Sequence, residues 1–203
     1  MSQPSDKTHL EHLSVALSHA RNCTATRTAF CVGALIVSDS TNTVLASGYS
    51  RELPGNTHAE QNCLTKLLLL PPPQNAPSSE RCQQQQQQQQ LDEAAETGAE
   101  RREEGKEEAY SLYTTMEPCS ERLSGNIPCT DSILRYNESA ERRARGLGRI
   151  GTVYVGVREP ETFVRRNVAH EKLLAGGVRY VHVSGLEAEV LEVARRGHDG
   201  DDD

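Results

Sequence analysis

Four residues in this chain have the types and spacing that a metal-dependent hydrolytic site requires. His58 and Glu60 form a His-x-Glu pair in "THAEQN", and Cys119 and Cys129 enclose residues 120–128 in "TTMEPCSERLSGNIPC". One imidazole and two thiolates can hold a zinc ion and leave a fourth position open for water, which is the catalytic arrangement. For the cysteine pair alone, a metal clamp, a disulfide and two unrelated core residues are the alternatives.

Glu60 would supply the proton chemistry at such a site. A carboxylate two residues from a metal ligand can take a proton from an activated water molecule and pass it to a leaving amine. Two thiolates balance the charge of Zn²⁺, and helix N-termini favour the thiolate form of cysteine. A non-catalytic zinc domain needs the ligands but has no use for this carboxylate, so Glu60 favours catalysis.

The motifs resemble a known signature. "HAE" followed by "PC" matches the His-x-Glu and Pro-Cys-x-x-Cys pattern of zinc-dependent base deaminases, apart from the wider interval between the cysteines. Together with "FCVGALIV", they resemble the cytidine deaminase superfamily over nearly all of the chain outside its low-complexity segment. The long interval, "ELPGNTHAEQNCL" and "RLSGN" are similar to the deaminases of riboflavin biosynthesis, and most of all to their fungal branch.

This resemblance implies a fold, a reaction and a cofactor. The fold would be a cytidine deaminase-like three-layer α/β/α sandwich with a mixed five-stranded sheet, assembled as a homodimer. His58, Cys119 and Cys129 would bind Zn²⁺, and Glu60 would be the proton shuttle. The substrate would be 2,5-diamino-6-ribitylamino-4(3H)-pyrimidinone 5'-phosphate, deaminated with release of ammonia. A cytidine or tRNA-base deaminase stays open, because "TAFC" before the first strand is closer to nucleoside deaminases, and so does a non-catalytic zinc-binding partner subunit.

Several side chains near the motifs could contact a pyrimidine edge or a phosphate. The predicted substrate-binding residues are Arg51, Arg122, Ser124 and Asn126, which all carry hydrogen-bond donors. Bacterial relatives carry a histidine soon after the first cysteine, whereas Glu121 follows Ser120 here. These contacts are therefore predicted from donor chemistry and not carried over from the family.

The hydrophobic pattern predicts the element order α-β-β-α-β-α-β-α-β-α. The predicted helices are 8–21, 57–70, 129–138, 162–177 and 186–197, and the predicted strands are 30–38, 43–50, 110–116, 149–157 and 178–184. This alternation favours a mixed sheet with helices on both faces.

Composition separates a core from its appendages. Hydrophobic residues make up 35% of the 203 residues and aromatic residues 4%, which predicts that part of the chain lies outside the core. Residues 71–109, with eight consecutive glutamines, are predicted to be a disordered insertion, and residues 198–203 an acidic tail. Residues 1–70 and 110–197 would then form a single zinc deaminase domain. The net charge of −7 falls mostly on the insertion and the tail.

No apolar run approaches the roughly 18 residues that a membrane span requires, and the N-terminus lacks the apolar stretch of a secretory signal. We therefore expect a soluble protein in the cytoplasm, with the nucleus as the alternative compartment. Thiols stay reduced there, which disfavours a disulfide and leaves Cys23, Cys31 and Cys63 as predicted buried residues. An acidic chain also argues against nucleic acid as a partner, and the family resemblance implies a small phosphorylated pyrimidine as substrate.

Overall fold

The computed structural model describes residues 6–70, 107–160 and 167–197. The helices in this part of the chain are α1 (Asp6–Ala20), α2 (Ala59–Leu69), α3 (Cys129–Glu138), α4 (Ala140–Ala144), α5 (Ala169–Ala175) and α6 (Glu187–Ala194). The strands are β1 (Gly33–Ser38), β2 (Val44–Tyr49), β3 (Ala109–Met116), β4 (Arg149–Val157) and β5 (Arg179–His182).

The five strands form one mixed sheet in the order β2-β1-β3-β4-β5. β1 pairs antiparallel with β2 and β3, whereas β3–β4 and β4–β5 are parallel pairs. Every residue of β1 is buried, as expected for an inner strand covered on both faces, and β2 at the edge alternates between buried and more exposed positions. The predicted mixed five-stranded sheet is confirmed.

Helices cover both faces of this sheet and complete three layers. On one face, α2, α3 and α5 pack through Leu67, Ile133 and Leu173 against strand residues such as Leu112. On the other face, α1 and α6 contribute buried aliphatic side chains. Because side chains alternate along a strand, Tyr113 points to the opposite face from its neighbour Leu112 and packs against α1. The three-layer α/β/α sandwich predicted from the sequence is confirmed.

Two helices differ from the prediction. The pattern did not reveal α4, a short helix whose first turn is capped by Ser139, since the Ser139 hydroxyl accepts a hydrogen bond from the backbone N–H of Arg142 at 3.3 Å. The helix predicted over 162–177 is helical only at Ala169–Ala175 within the described residues, because Asn167 Oδ1 accepts the Ala169 N–H at 3.0 Å and starts the helix there. Residues 162–166 lie outside the described part.

The predicted appendages fall almost entirely outside the described residues. Of the insertion predicted at 71–109, the structure describes Glu107, Glu108 and Ala109, and Ala109 is already the first residue of β3. Ser38 Oγ donates to Glu108 Oε1 at 2.7 Å, which ties this stretch to β1. The acidic tail at 198–203 is outside the described part, and the domain boundaries stay a prediction.

The last helix is shorter than predicted, since α6 ends at Ala194 and not at residue 197, but the remaining cysteines agree with the prediction. Cys23, Cys31 and Cys63 are all buried, as predicted for small core residues. Among the described residues, no helix has both the length and the apolar character that crossing a membrane would require.

The packing of α1 on β1 depends on a glycine. A Cβ at Gly33 would lie 2.0 Å from the carbonyl oxygen of Ala16 and 2.6 Å from the backbone nitrogen of Ala20. These atoms belong to the backbone of α1, so the helix would have to move. We expect Gly33→Ala to lower the free energy of unfolding by about 1–3 kcal/mol, measured by denaturant unfolding. Gly151→Ala is the control, because the nearest atom to its Cβ would be 3.7 Å away; an equal loss in both variants would contradict this explanation.

Candidate active site and metal centre

Three side chains that are distant in sequence converge at the carboxyl end of β3. His58 directly precedes α2, Cys119 lies three residues after the end of β3, and Cys129 is the first residue of α3. Their donor atoms all lie within 4.8 Å of one another. The loop between the cysteines is closed at its base, since Thr130 donates through its backbone N–H and its hydroxyl to the carbonyl of Cys119, at 3.1 and 2.9 Å.

The spacing of these atoms suits a tetrahedral zinc ion. Typical Zn–S and Zn–N bond lengths place neighbouring sulfur and nitrogen ligands about 3.6 Å apart. His58 Nδ1 lies 3.5 Å from Cys119 Sγ and 3.2 Å from Cys129 Sγ. Both cysteines are free thiols, so the disulfide alternative is wrong for this structure. The donor set therefore fits zinc, and it leaves the fourth position to water or substrate.

The electrostatics of the site favour thiolate at Cys119. A hydrogen bond from Cys129 lowers the pKa of Cys119 to about 4, against the effect of burial, and the neighbouring imidazole lowers it further. The backbone N–H of Cys129, at the positive end of α3, also donates to Cys119 Sγ at 3.3 Å. Burial raises the pKa of the Cys129 thiol, and metal coordination is what deprotonates such a thiol.

Glu60 lies beside the three ligands and is 3% exposed. Its Oε1 accepts a hydrogen bond from Thr114 Oγ1 at 3.2 Å, and its Oε2 accepts one from the Cys129 thiol at 3.4 Å. Burial raises the pKa of this carboxyl, and the nearby His58 opposes that shift. A carboxyl group with a raised pKa can both accept and release a proton near neutral pH.

A cavity opens next to Glu60 and His58. Phe30, Val32 and Met116 contribute apolar surface to its lining. Apolar surface next to polar and charged side chains is typical of a small-molecule site.

Three of the four predicted substrate-binding residues line the cavity, and one does not. Arg51, Arg122 and Ser124 line the cavity, whereas Asn126 is exposed on the same loop as Arg122 and is not among the lining residues. Arg51 has a positive φ of 62° and donates to the loop before β1, including Thr26 Oγ1 at 3.1 Å. Arg122 donates to Gln61 Oε1 at 2.8 Å. Both guanidinium groups thus hold the cavity wall in place, and substrate contact by these four residues stays a prediction.

Sequence reasoning missed two carboxylic acids in the cavity lining, Glu117 and Glu159. Burial raises the pKa of Glu159 to about 8, the charge on Cys119 being the next cause, and its Oε2 accepts from Asn167 Nδ2 at 2.8 Å. The signal that could have found them is position: each follows the carboxyl end of a parallel strand, which is where α/β proteins bind ligands.

Comparison with known proteins agrees with this geometry. The family described as "Cytidine and deoxycytidylate deaminase zinc-binding region" matches residues 6–140. The chain is also 31% identical over 190 residues to the diaminohydroxyphosphoribosylamino-pyrimidine deaminase of Schizosaccharomyces pombe. That match covers 94% of this chain but 36% of the relative, so the chain spans about a third of that protein's length.

Solved structures show the same likeness. The Rib2 deaminase of Aspergillus oryzae, a C-terminal deletion mutant at pH 6.5, has 31% sequence identity and a TM-score of 0.66, covering 94% of this chain and 92% of that one. The same enzyme in complex with DARIPP matches with 31% identity, a TM-score of 0.66, and 95% and 92% coverage. A deaminase/reductase from Thermotoga maritima shares the fold at 22% identity, with a TM-score of 0.56 over 94% of this chain and 40% of that one.

Proposed function

The chain belongs to the cytidine and deoxycytidylate deaminase family, and we propose that it is a zinc-dependent hydrolytic deaminase of a phosphorylated ribitylamino-diaminopyrimidinone in riboflavin biosynthesis. The observation that carries this proposal is the position of Glu60, buried beside His58, Cys119 and Cys129 where the cavity begins. The likeness to two fungal deaminases, one of them crystallised with DARIPP, supports the choice of substrate class.

The reaction exchanges an amine on a ring carbon for oxygen from water. Zinc held by His58, Cys119 and Cys129 would supply Lewis-acid activation of the water. Glu60 accepts the proton that the water loses, donates it to the ring nitrogen, and later moves a proton to the departing amine. Ammonia leaves, and the ring carbon keeps the oxygen as a carbonyl. Thr114 holds one carboxylate oxygen in position for these transfers. The hydrogen bond from the Cys129 thiol to the other oxygen belongs to the metal-free protein, because zinc would deprotonate that thiol.

The cavity lining suits a substrate with a flat, amine-bearing ring and a phosphate. Phe30, Val32 and Met116 would pack against the ring, and the carboxylic acid of Glu159 would face polar groups on its edge. The phosphate would lie near Arg122 and Ser124, with Arg51 and Asn126 as further donors. A small-molecule site of this kind needs no polynucleotide surface.

The assembly and the compartment belong to the same proposal. The protein would act as a homodimer in the cytoplasm, with residues 71–109 as an insertion in a single catalytic domain. Sedimentation velocity on the full chain measures the assembly: a species of twice the mass of 22.3 kDa is expected, and a monomer at working concentration would contradict it.

A competition assay tests the substrate. Equal amounts of the ribitylamino phosphate, the unreduced ribosylamino phosphate and cytidine are mixed with the zinc-loaded protein, and the products are quantified by mass spectrometry. We expect the ribityl compound to be deaminated faster by at least about tenfold, since a site that hydrogen-bonds a substrate's hydroxyl groups rejects an analogue that lacks or misplaces them.

The other outcomes of this assay are equally informative. Preference for the ribosyl compound would support the same pathway, with deamination before reduction of the sugar. Turnover of cytidine would overturn the riboflavin proposal in favour of nucleoside deamination. Silence on all three substrates with zinc bound would favour an RNA substrate or the non-catalytic partner subunit.

A further inference from the structure

The side-chain amide of Gln61, on the first turn of α2, joins the metal site to the loop between the two cysteines. Its Oε1 accepts from the backbone N–H of His58 at 3.2 Å and from Arg122 Nη1 at 2.8 Å. Its Nε2 donates to the carbonyl of Ile127 at 2.9 Å and to Ser132 Oγ at 3.3 Å. These four bonds use the full hydrogen-bonding capacity of an amide, two acceptor and two donor positions, and so fix its orientation.

The cysteine loop, residues 120–128, has little else to hold its middle. In the described part of the chain, three hydrogen bonds join residues 121–127 to the body of the protein. Two of these end on Gln61, and the third runs from Arg122 Nη2 to the carbonyl of Asn56. Leu123, at the tip, is 81% exposed. A loop with few buried contacts opens easily unless specific bonds hold it closed.

The loop held by Gln61 is also a wall of the substrate cavity. Arg122, Leu123 and Ser124 line that cavity, and Gln61 directly follows Glu60 on α2. One side chain thus connects the backbone of a metal ligand with the surface that a substrate would touch. We propose that Gln61 is a positioning residue, which holds the cysteine loop over the cavity and thereby sets the affinity for substrate more than the rate of the chemical step. The kinetic part rests on the proposed function.

A simpler role for Gln61 makes a different prediction. Gln61 is the third residue of α2, and its bond to the His58 N–H is half of a capping box, which would stabilise the helix alone. Glutamate fills this capping position as well as glutamine does, and its charge suits a helix N-terminus. A carboxylate cannot donate a hydrogen bond, however. Its oxygen would face the carbonyl oxygen of Ile127, and the two acceptors would repel each other. Gln61→Glu therefore keeps the cap and the bond from Arg122 but breaks the bond to Ile127, whereas Gln61→Ala removes all of them.

The experiment compares the zinc-loaded full chain with Gln61→Glu, Gln61→Ala and the control Thr65→Ala, whose exposed side chain lies one turn further along α2. In Gln61→Glu we expect unchanged zinc content and melting temperature, amide hydrogen exchange in residues 120–128 faster by about tenfold, and KM raised by about tenfold with kcat within about threefold. Gln61→Ala should add a lower melting temperature, and Thr65→Ala should match the wild type.

Two readouts separate failure of this inference from failure of the proposed function. Wild-type exchange in residues 120–128 of both Gln61→Glu and Gln61→Ala would show that Gln61 does not hold the loop. A fall in kcat at constant KM would place its effect on the chemical step. Either result overturns the inference. If the wild-type protein deaminates none of the tested pyrimidines, the proposed function fails. Hydrogen exchange then still decides whether Gln61 holds the loop.

Discussion

Glu60→Gln is expected to lower kcat by about 10²–10⁴-fold while one zinc ion per chain stays bound. Glutamine has the same shape as glutamate and can still meet the Thr114 hydroxyl, but it cannot carry a proton from water to the ring nitrogen. The metal ligands are untouched, so zinc content should not change. Steady-state ammonia release and elemental analysis of the same sample measure the two quantities.

One control variant and one stability measurement accompany this prediction. Glu192→Gln, an exposed position on α6, should keep full activity. Burial raises the pKa of Glu60, so the native metal-free protein opposes ionisation of this carboxyl. That penalty is absent at acid pH and grows as the pH rises through the raised pKa, so metal-free Glu60→Gln should equal the wild type at low pH and exceed its stability at neutral pH. Retained turnover in Glu60→Gln would refute the proposed mechanism.

Removal of zinc has the second large expected effect. A metal that binds only the folded protein adds about 4 kcal/mol when its free concentration is about a thousand times the dissociation constant. In a chain of 203 residues that corresponds to a fall of roughly 8–16 °C in melting temperature on chelation. Calorimetry with and without chelator measures it.

Cysteine variants show which thiols bind the zinc that stabilises the protein. Cys119→Ser should lose bound zinc after desalting and should melt at the same temperature with and without chelator. Cys63→Ala is the matched control, because Cys63 is buried on the same helix as Glu60 but lies outside the ligand group. It should lose some stability from packing while keeping its zinc and its response to chelator. Loss of zinc from both variants would contradict the assignment of the ligands.

The ligand group could be predicted because histidine and cysteine are zinc ligands that the sequence identifies directly. Few arrangements other than a metal site explain a His-x-Glu pair together with two cysteines and a proline before Cys119. The periodicity also predicted β4 at its observed bounds, Arg149–Val157, and α3 at Cys129–Glu138. Buried strands and amphipathic helices of this length leave a clear pattern, since each position faces either the core or solvent.

The contacts between residues that are distant in the sequence could not be predicted, because they depend on how the chain folds. Arg51 and Arg122 were predicted to bind substrate from their charge, but their hydrogen bonds to neighbouring loops depend on the path of the backbone. Glu159 lines the cavity because β4, which precedes it, pairs with β3, and the sequence does not show that pairing. The need for glycine at position 33 likewise comes from the distance between α1 and β1, which hydrophobic periodicity does not encode.

Zinc titration of the metal-free protein, followed by ammonia release from the ribitylamino-diaminopyrimidinone phosphate, shows whether the ligand group and Glu60 form a zinc-dependent deaminase site. We expect no release without metal, a rate that rises in proportion to added zinc, and a plateau at one zinc ion per chain. Equal release before and after zinc is added would contradict it, as would a fully zinc-loaded protein that releases no ammonia.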